Sequence, residues 1–310
     1  MKIAVVGAGM WGKNIVRTLH ELGSLACVVD SHEENRNALA AQYRVPTFSS
    51  LVEVDPGSFQ GVAIATHAPT HASIAFEAIR AGKHAFVEKP IALTSRDAEM
   101  LHLEATEAGV CLMAGHLLLY QPAVQFLKSA IDDGLVGRLR SVHIRRANLG
   151  RARDVEDVLW SLGVHDVAVV MYLVDSEPKQ TIASGDAFLN PEIADDTYVH
   201  IRFESGAKAH IHSSWLFPEL RRETIVIGDR AMLVYDELNQ KVTLHKKFID
   251  AELRNLDEGS EVIFEGHAQP LTLEMQEFIE CSQTGRTPRS DGVSAIRVTK
   301  VLEQASECMQ

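Results

Sequence analysis

Glycines, one lysine and one histidine mark where this chain can do chemistry. Gly7-Ala8-Gly9-Met10-Trp11-Gly12 is a G-x-G-x-x-G. Gly7 allows a tight turn, Gly9 lets backbone approach a pyrophosphate, and Gly12 lets a helix pack closely on a strand. A helix starting there offers unpaired N–H groups and a positive dipole end to phosphate. Met10 and Trp11 belong to the same turn. Asp30 follows a second apolar run and would accept hydrogen bonds from the adenosine ribose hydroxyls. A 2′-phosphate would face that carboxylate, and Ser31-His32-Glu33-Glu34 holds no Arg or Lys. The pattern points to NAD rather than NADP, with Ser31 beside the ribose.

Glu88-Lys89-Pro90 is the second constellation. A lysine at a strand end can hydrogen-bond a substrate hydroxyl and share in taking its proton. Burial beside a cationic nicotinamide would favour the neutral amine. Pro90 restricts Lys89 to extended backbone and makes a cis peptide accessible. Read alone, Lys89 is more often an exposed turn lysine. His165 is the third feature. Imidazole is suited to proton transfer near neutrality, although a lone His on an apolar helix is more often packed.

The elements that must position these residues alternate regularly. Lys2-Ile3-Ala4-Val5-Val6 reads as a strand, Lys13 to Leu22 as a helix, and Leu25 to Val29 as a strand. Ser31-His32-Glu33-Glu34 reads as a capping box opening a helix to Tyr43. Gly61 to Ala65 is a buried strand, and Thr70 can cap a helix to Ala81. His84 to Val87 is a strand, Thr94-Ser95-Arg96-Asp97 opens a helix to Gly109, and Val110 to Gly115 is a strand. This β-α alternation predicts a doubly wound parallel sheet of Rossmann type. Glu88-Lys89-Pro90 then falls at its carboxyl edge, where ligands bind.

After Gly137 the pattern changes to period two. Thr197, Val199, Ile201 and Phe203 share one face, while Tyr198, His200 and Arg202 share the other. Glu204-Ser205-Gly206 and Gly228-Asp229-Arg230 read as hairpin turns. The second half is therefore an α/β domain with an open-faced, largely antiparallel sheet. It carries a helix near Val155 to Leu173 and ends with helices at Leu271 to Thr284 and Ser290 to Met309. The expected division is 1–121 for the dinucleotide-binding domain and 122–310 for substrate binding and oligomerisation.

The bulk properties set outer limits. A chain of 310 residues can bury two cores. A net charge of −12 argues against a nucleic-acid partner. No apolar run approaches a membrane span and no signal peptide is visible. Cys27, Cys111, Cys281 and Cys308 are scattered without a C-x-x-C pair, which suits reduced thiols and the cytoplasm. His200, His210 and His212 fall on one face of neighbouring strands, but with no fourth ligand or nearby Cys no metal is expected.

Taken together, these motifs resemble the glucose-fructose oxidoreductase / inositol dehydrogenase / rhizopine catabolism family. The resemblance rests on the glycine turn, Ala65-Thr66 with Pro69 and His71, Glu88-Lys89-Pro90, Pro122-Ala123-Val124, and Gly285-Arg286-Thr287-Pro288. It implies NAD(P)-dependent oxidation or reduction of a sugar or cyclitol hydroxyl. It also implies catalytic roles for Lys89 and His165, cofactor contacts from Ala65, Thr66, Pro69, His71, Glu88 and Lys89, and a homodimer or homotetramer built through the second sheet. The family's G-x-H-x-x-D is only part-matched. Gly163-Val164-His165 fits, but Ser161 and Ala168 replace the usual acids and Asp166 directly follows the histidine. The departure puts the usual proton relay in doubt and leaves Asp166 to bind a substrate hydroxyl.

Within the family, Gly115-His116-Leu117-Leu118-Leu119-Tyr120, Asn148-Leu149-Gly150-Arg151 and Val158-Leu159-Trp160 resemble the subgroup that oxidises UDP-N-acetylglucosamine, or its uronic acid, at C3. That likeness implies a UDP-sugar substrate met by Lys89, His116, Tyr120, Asn148, Arg151, Trp160, His165 and Asp166. The residues add a reason of their own. Arg145, Arg146, Arg151 and Arg153 crowd one segment of an acidic chain, and guanidinium forks suit a diphosphate. A solvated basic loop is the plainer alternative.

Overall fold

The computed structural model describes residues 1–266 and 268–309. The chain divides into two compact units, 1–117 with 269–299 and 118–268 with 300–310.

In the first unit, strands β1 (Ile3–Val6), β2 (Leu25–Val29), β3 (Thr47–Phe48), β4 (Gly61–Ile64), β5 (His84–Glu88) and β6 (Leu112–Gly115) form one parallel sheet, ordered β3-β2-β1-β4-β5-β6. Each short apolar run is buried because helices cover both faces of such a sheet. The covering helices are α1 (Gly12–Glu21), α2 (Glu33–Tyr43), α3 (His71–Arg80) and α4 (Ser95–Glu107). Thr94 caps α4 as expected, its hydroxyl accepting from the Asp97 amide. The capping box expected at Ser31 does not form. His32 is the N-cap of α2 and makes no side-chain cap, because the neighbouring Asp30 carboxylate accepts from the His32 amide at 2.8 Å.

The second unit contains α5 (Pro122–Asp132), β7 (Leu139–Leu149), α6 (Val164–Val174), β8 (Pro178–Asp186), β9 (Asp196–Phe203), β10 (Lys208–Ser214), β11 (Leu216–Gly228), β12 (Met232–Asp236), β13 (Lys241–Ile249) and β14 (Asn255–Glu265). Its sheet runs β14-β13-β12-β11-β7-β10-β9-β8. Only β7 and β10 pair in parallel; every other neighbour is antiparallel. Both expected hairpins form, joining β9 to β10 and β11 to β12. Along β9 buried and exposed residues alternate strictly, so one face is core and the other open.

The chain then returns. α7 (Pro270–Thr284) and the start of α8 (Gly292–Cys308) belong to the first unit, although the sequence reading leaves them in the second domain. Ser290 explains the return: its carbonyl accepts from the Ala114 amide and its hydroxyl donates to the Ala114 carbonyl, tying the segment to β6. Among the described residues no helix is long and apolar enough to cross a membrane.

Candidate active site

The glycine turn is held by geometry that only glycine allows. Gly7 has φ +88°, and a Cβ there would meet the Thr66 amide at 2.7 Å. A Cβ on Gly12 would lie 2.0 Å from the Gly7 carbonyl oxygen. Gly9 differs, since nothing lies within 4 Å of a Cβ placed on it. The structure thus packs two glycines and leaves the third facing open space, as a bound pyrophosphate requires. Trp11 is the N-cap of α1 and makes no side-chain cap, while the Lys13 and Asn14 amides donate to the Gly9 and Trp11 carbonyls. Asp30 braces the turn from below, with Oδ2 accepting the Ala8 amide at 2.7 Å. Burial pulls its carboxyl upward, but the His32 and Ala8 amides outweigh that and hold it below its ordinary value. Ser31 is exposed beside it. One neighbour was not legible beforehand: Arg36 on α2 donates to the backbone carbonyls of Asp30 and Ser31.

At the carboxyl ends of β4, β5 and β6 the remaining expected residues gather. Ala65 and Thr66 are half-buried, and Pro69 is exposed. His71 is buried, with Nδ1 2.8 Å from the Pro90 carbonyl oxygen and Nε2 3.0 Å from that of Thr66. The ring thus sits between the β4 end and the cis Lys89-Pro90 turn. A neutral ring donates to only one of these carbonyls, and burial lowers the His71 pKa. Glu88 accepts from the Trp11 indole N–H and from the Lys89 amide. Burial pushes its carboxyl up to about 7, against the pull of those donors and of the Lys89 charge. His116 is 3% exposed, and neither ring nitrogen has a hydrogen-bond partner among the described residues. Burial, with the Lys89 charge behind it, pushes its pKa down to about 4. A neutral imidazole with unmet polar atoms near the Lys89 charge offers both a donor and an acceptor.

In the second unit His165 is half-buried in the first turn of α6. A π-helical turn, Leu159–Gly163, leads into it, a distortion that recurs at functional positions. Gly163 is needed for closeness, since a Cβ would lie 3.1 Å from the Ser213 hydroxyl on β10. Asp166 is 0% exposed, and Arg146 Nε donates to its Oδ1 at 2.8 Å. The same guanidinium reaches Glu237 at 2.7 and 3.2 Å, and Arg222 also reaches Glu237 at 3.2 Å. Burial pushes Asp166 up to about 6 even beside Arg146. Glu237 moves the other way because two arginines outweigh its burial. Arg146 is shared between the two buried carboxylates, and Arg222 serves Glu237 as well.

Several expectations change accordingly. Asp166 presents no surface to a substrate hydroxyl, because it is fully buried with Oδ1 held by Arg146. Tyr120 is also interior, at 1% exposure. Trp160 is half-buried, its indole N–H donating to Ser306 at 2.9 Å. The four arginines do not form one cluster. Strand alternation turns Arg146 into the core and Arg145 outward, over the Phe217 ring at 5.9 Å. Arg151 is exposed in the following loop, Arg153 pairs with Glu156, and Asn148 is half-buried. The histidines also regroup. His210 contacts His200 at 2.7 Å and stacks on His143 at 4.7 Å, while His212 stacks on Tyr198. Among the described residues no group of three or more His, Cys, Asp or Glu could hold a metal ion.

Comparison with known proteins settles the family. Residues 1–116 match the model of the oxidoreductase family with an NAD-binding Rossmann fold, and residues 124–234 match the GFO/IDH/MocA C-terminal domain. The chain belongs to the GFO/IDH/MocA family. It is 28% identical over 304 residues to UDP-N-acetylglucosamine 3-dehydrogenase of Acidithiobacillus ferrooxidans, covering 96% of this chain and 94% of that protein. It is 26% identical over 310 residues to scyllo-inositol 2-dehydrogenase (NAD(+)) of Bacillus subtilis, covering 93% and 88%. A solved structure of the Acidithiobacillus enzyme superposes with a TM-score of 0.88 at 25% identity, covering 100% of this chain and 97% of that one.

As a GFO/IDH/MocA member the protein is an NAD-dependent oxidoreductase. The cofactor carries the redox chemistry while the protein supplies orientation and proton transfer, and the open side of Gly9 at the start of α1, with Asp30, has the shape and charge that would suit it.

Proposed function

We propose that this enzyme oxidises the 3-hydroxyl of UDP-N-acetylglucosamine to the 3-keto sugar nucleotide. The likeness to UDP-N-acetylglucosamine 3-dehydrogenase along 96% of the chain carries the reading. When bound, NAD accepts the hydride from the sugar carbon. Lys89 and His165 are the proposed acceptors of the hydroxyl proton, and His116 is proposed to bind the sugar through its unmet ring nitrogens. Arg145 and Arg151, both exposed, remain as diphosphate ligands; Arg146 does not. The ketone produced suits an aminotransferase, as expected in lipid A or surface-polysaccharide synthesis in the cytoplasm.

The test follows NADH formation with UDP-N-acetylglucosamine, UDP-N-acetylglucosaminuronic acid, free N-acetylglucosamine and inositols in parallel. The nucleotide sugar is expected to lead in kcat/KM. Equal turnover of the free sugar would show that the diphosphate contributes nothing. Turnover of inositol alone would select the second reading, which the 26% likeness to scyllo-inositol 2-dehydrogenase favours. Preference for the uronic acid would correct only C6.

We also propose a homodimer or homotetramer formed through the open sheet face, where Ile182, Tyr198 and His200 are exposed. Light scattering is expected to give at least twice 34.2 kDa. The mass of one chain at low micromolar concentration would contradict it.

A further inference from the structure

Glu274, on the helix that returns to the first unit, is a charge-bearing side chain with no assigned task. It is 0% exposed, and neither carboxyl oxygen has a hydrogen-bond partner among the described residues. Burying such a group as an unpaired carboxylate is prohibitively costly. Its position along the strand follows from two contacts. Phe278, one turn further along α7, packs on the Phe86 ring at 5.9 Å. Phe86 lies two residues before Glu88 on the same face of β5. One turn of helix advances about 6 Å and two strand residues about 6.6 Å. The Glu88 charge also acts on Glu274, so the two points together run α7 antiparallel to β5 and bring Glu274 alongside Glu88. Gly115 on β6 leaves the room, since a Cβ there would lie 3.0 Å from the Glu88 carboxyl carbon.

We propose that Glu88 and Glu274 form a buried carboxyl pair beneath the NAD-binding turn, in which Glu274 keeps the proton and Glu88 carries the charge that holds the Trp11 indole and the Lys89 amide. Glu274 is thus a positioning residue, acting on the cofactor turn through Glu88, whatever sugar the enzyme oxidises. The surroundings agree. Burial, then the Glu88 and Glu277 charges, raise Glu274 well above the carboxylate range. Glu277 pairs with Arg289 and Arg286. From β6 comes His116, which is neutral, and from Glu88's own turn comes Lys89. α1 turns Ile15, Val16 and Leu19 inward and keeps Lys13 and Arg17 exposed. Within the pair only Glu88 then titrates near neutrality. Its ionised form is the stronger acceptor for the Trp11 N–H, so the turn is best organised above pH 7.

Infrared spectra of the full-length protein would test this directly, because a protonated carboxyl has its own carbonyl band. At pH 8 wild type is expected to show one such band, lost in Glu274→Gln. Between pH 8 and 6 a second is expected to grow in, absent from Glu88→Gln. Growth that persists in Glu88→Gln belongs to Asp166. NAD titrations are expected to tighten as the pH rises through 7 in wild type and to lose that dependence in Glu88→Gln. If Glu274→Gln fails to fold, wild type and Glu88→Gln still carry both measurements. No protonated band at pH 8, a band unchanged in Glu274→Gln, or a pH-dependent NAD affinity unchanged in Glu88→Gln would overturn the proposal.

Discussion

The Ala8 amide donates to Asp30 Oδ2 at 2.7 Å, so the carboxylate placed to choose the cofactor also braces the turn that binds it. Replacing Asp30 should therefore weaken binding as well as relax selectivity. Wild type is expected to bind NAD more tightly than NADP in fluorescence titrations. Asp30→Ala should weaken NAD and narrow the gap between the two. Equal or tighter NADP binding by wild type would remove Asp30 from the selecting role and point instead to Arg36.

Lys89→Ala and His165→Ala should each lower kcat far more than they weaken NAD binding. General acid–base groups are worth about 10²–10⁴-fold. Steady-state rates beside NAD titrations separate the two effects, and a near-wild-type rate in either variant would release that residue from proton transfer.

Arg146 should behave as a structural residue. Its guanidinium neutralises Asp166 and Glu237 inside the second unit, and removing one partner of a buried pair costs about 3–5 kcal/mol. Arg146→Ala should lower the denaturant midpoint accordingly, while Arg151→Ala leaves stability unchanged. The pH dependence has a definite sign. Asp166 is raised to about 6, so the stability tied to its protonated form is full below the ordinary carboxylate value and fades as pH rises through 6. Glu237 is lowered, so its contribution is present above the ordinary value and is lost on acidification. Comparing Asp166→Asn with wild type across pH 4 to 8 would detect the first trend, and a constant difference would refute it.

Much of the cofactor half was legible because its signals are local. The glycine turn, the acid ending β2 and the alternation of strands with helices each occupy a few consecutive residues. Pairings between distant residues were not. Nothing in the order of residues says that Glu274 returns to Glu88, or that Arg146 meets Asp166 and Glu237, since long-range packing makes those contacts. The cluster of four arginines misled because composition ignores strand alternation, which sends Arg145 and Arg146 to opposite faces. β14 carries no period-two signal, because most of its residues are exposed.

The central claim is hydride removal from C3 of a UDP-N-acetyl sugar. UDP-N-acetylglucosamine deuterated only at C3 tests it most directly. The account predicts that the NADH formed carries the deuterium and that the sugar product is the 3-ketone. Unlabelled NADH from that substrate, or no turnover while an inositol is oxidised, would contradict it.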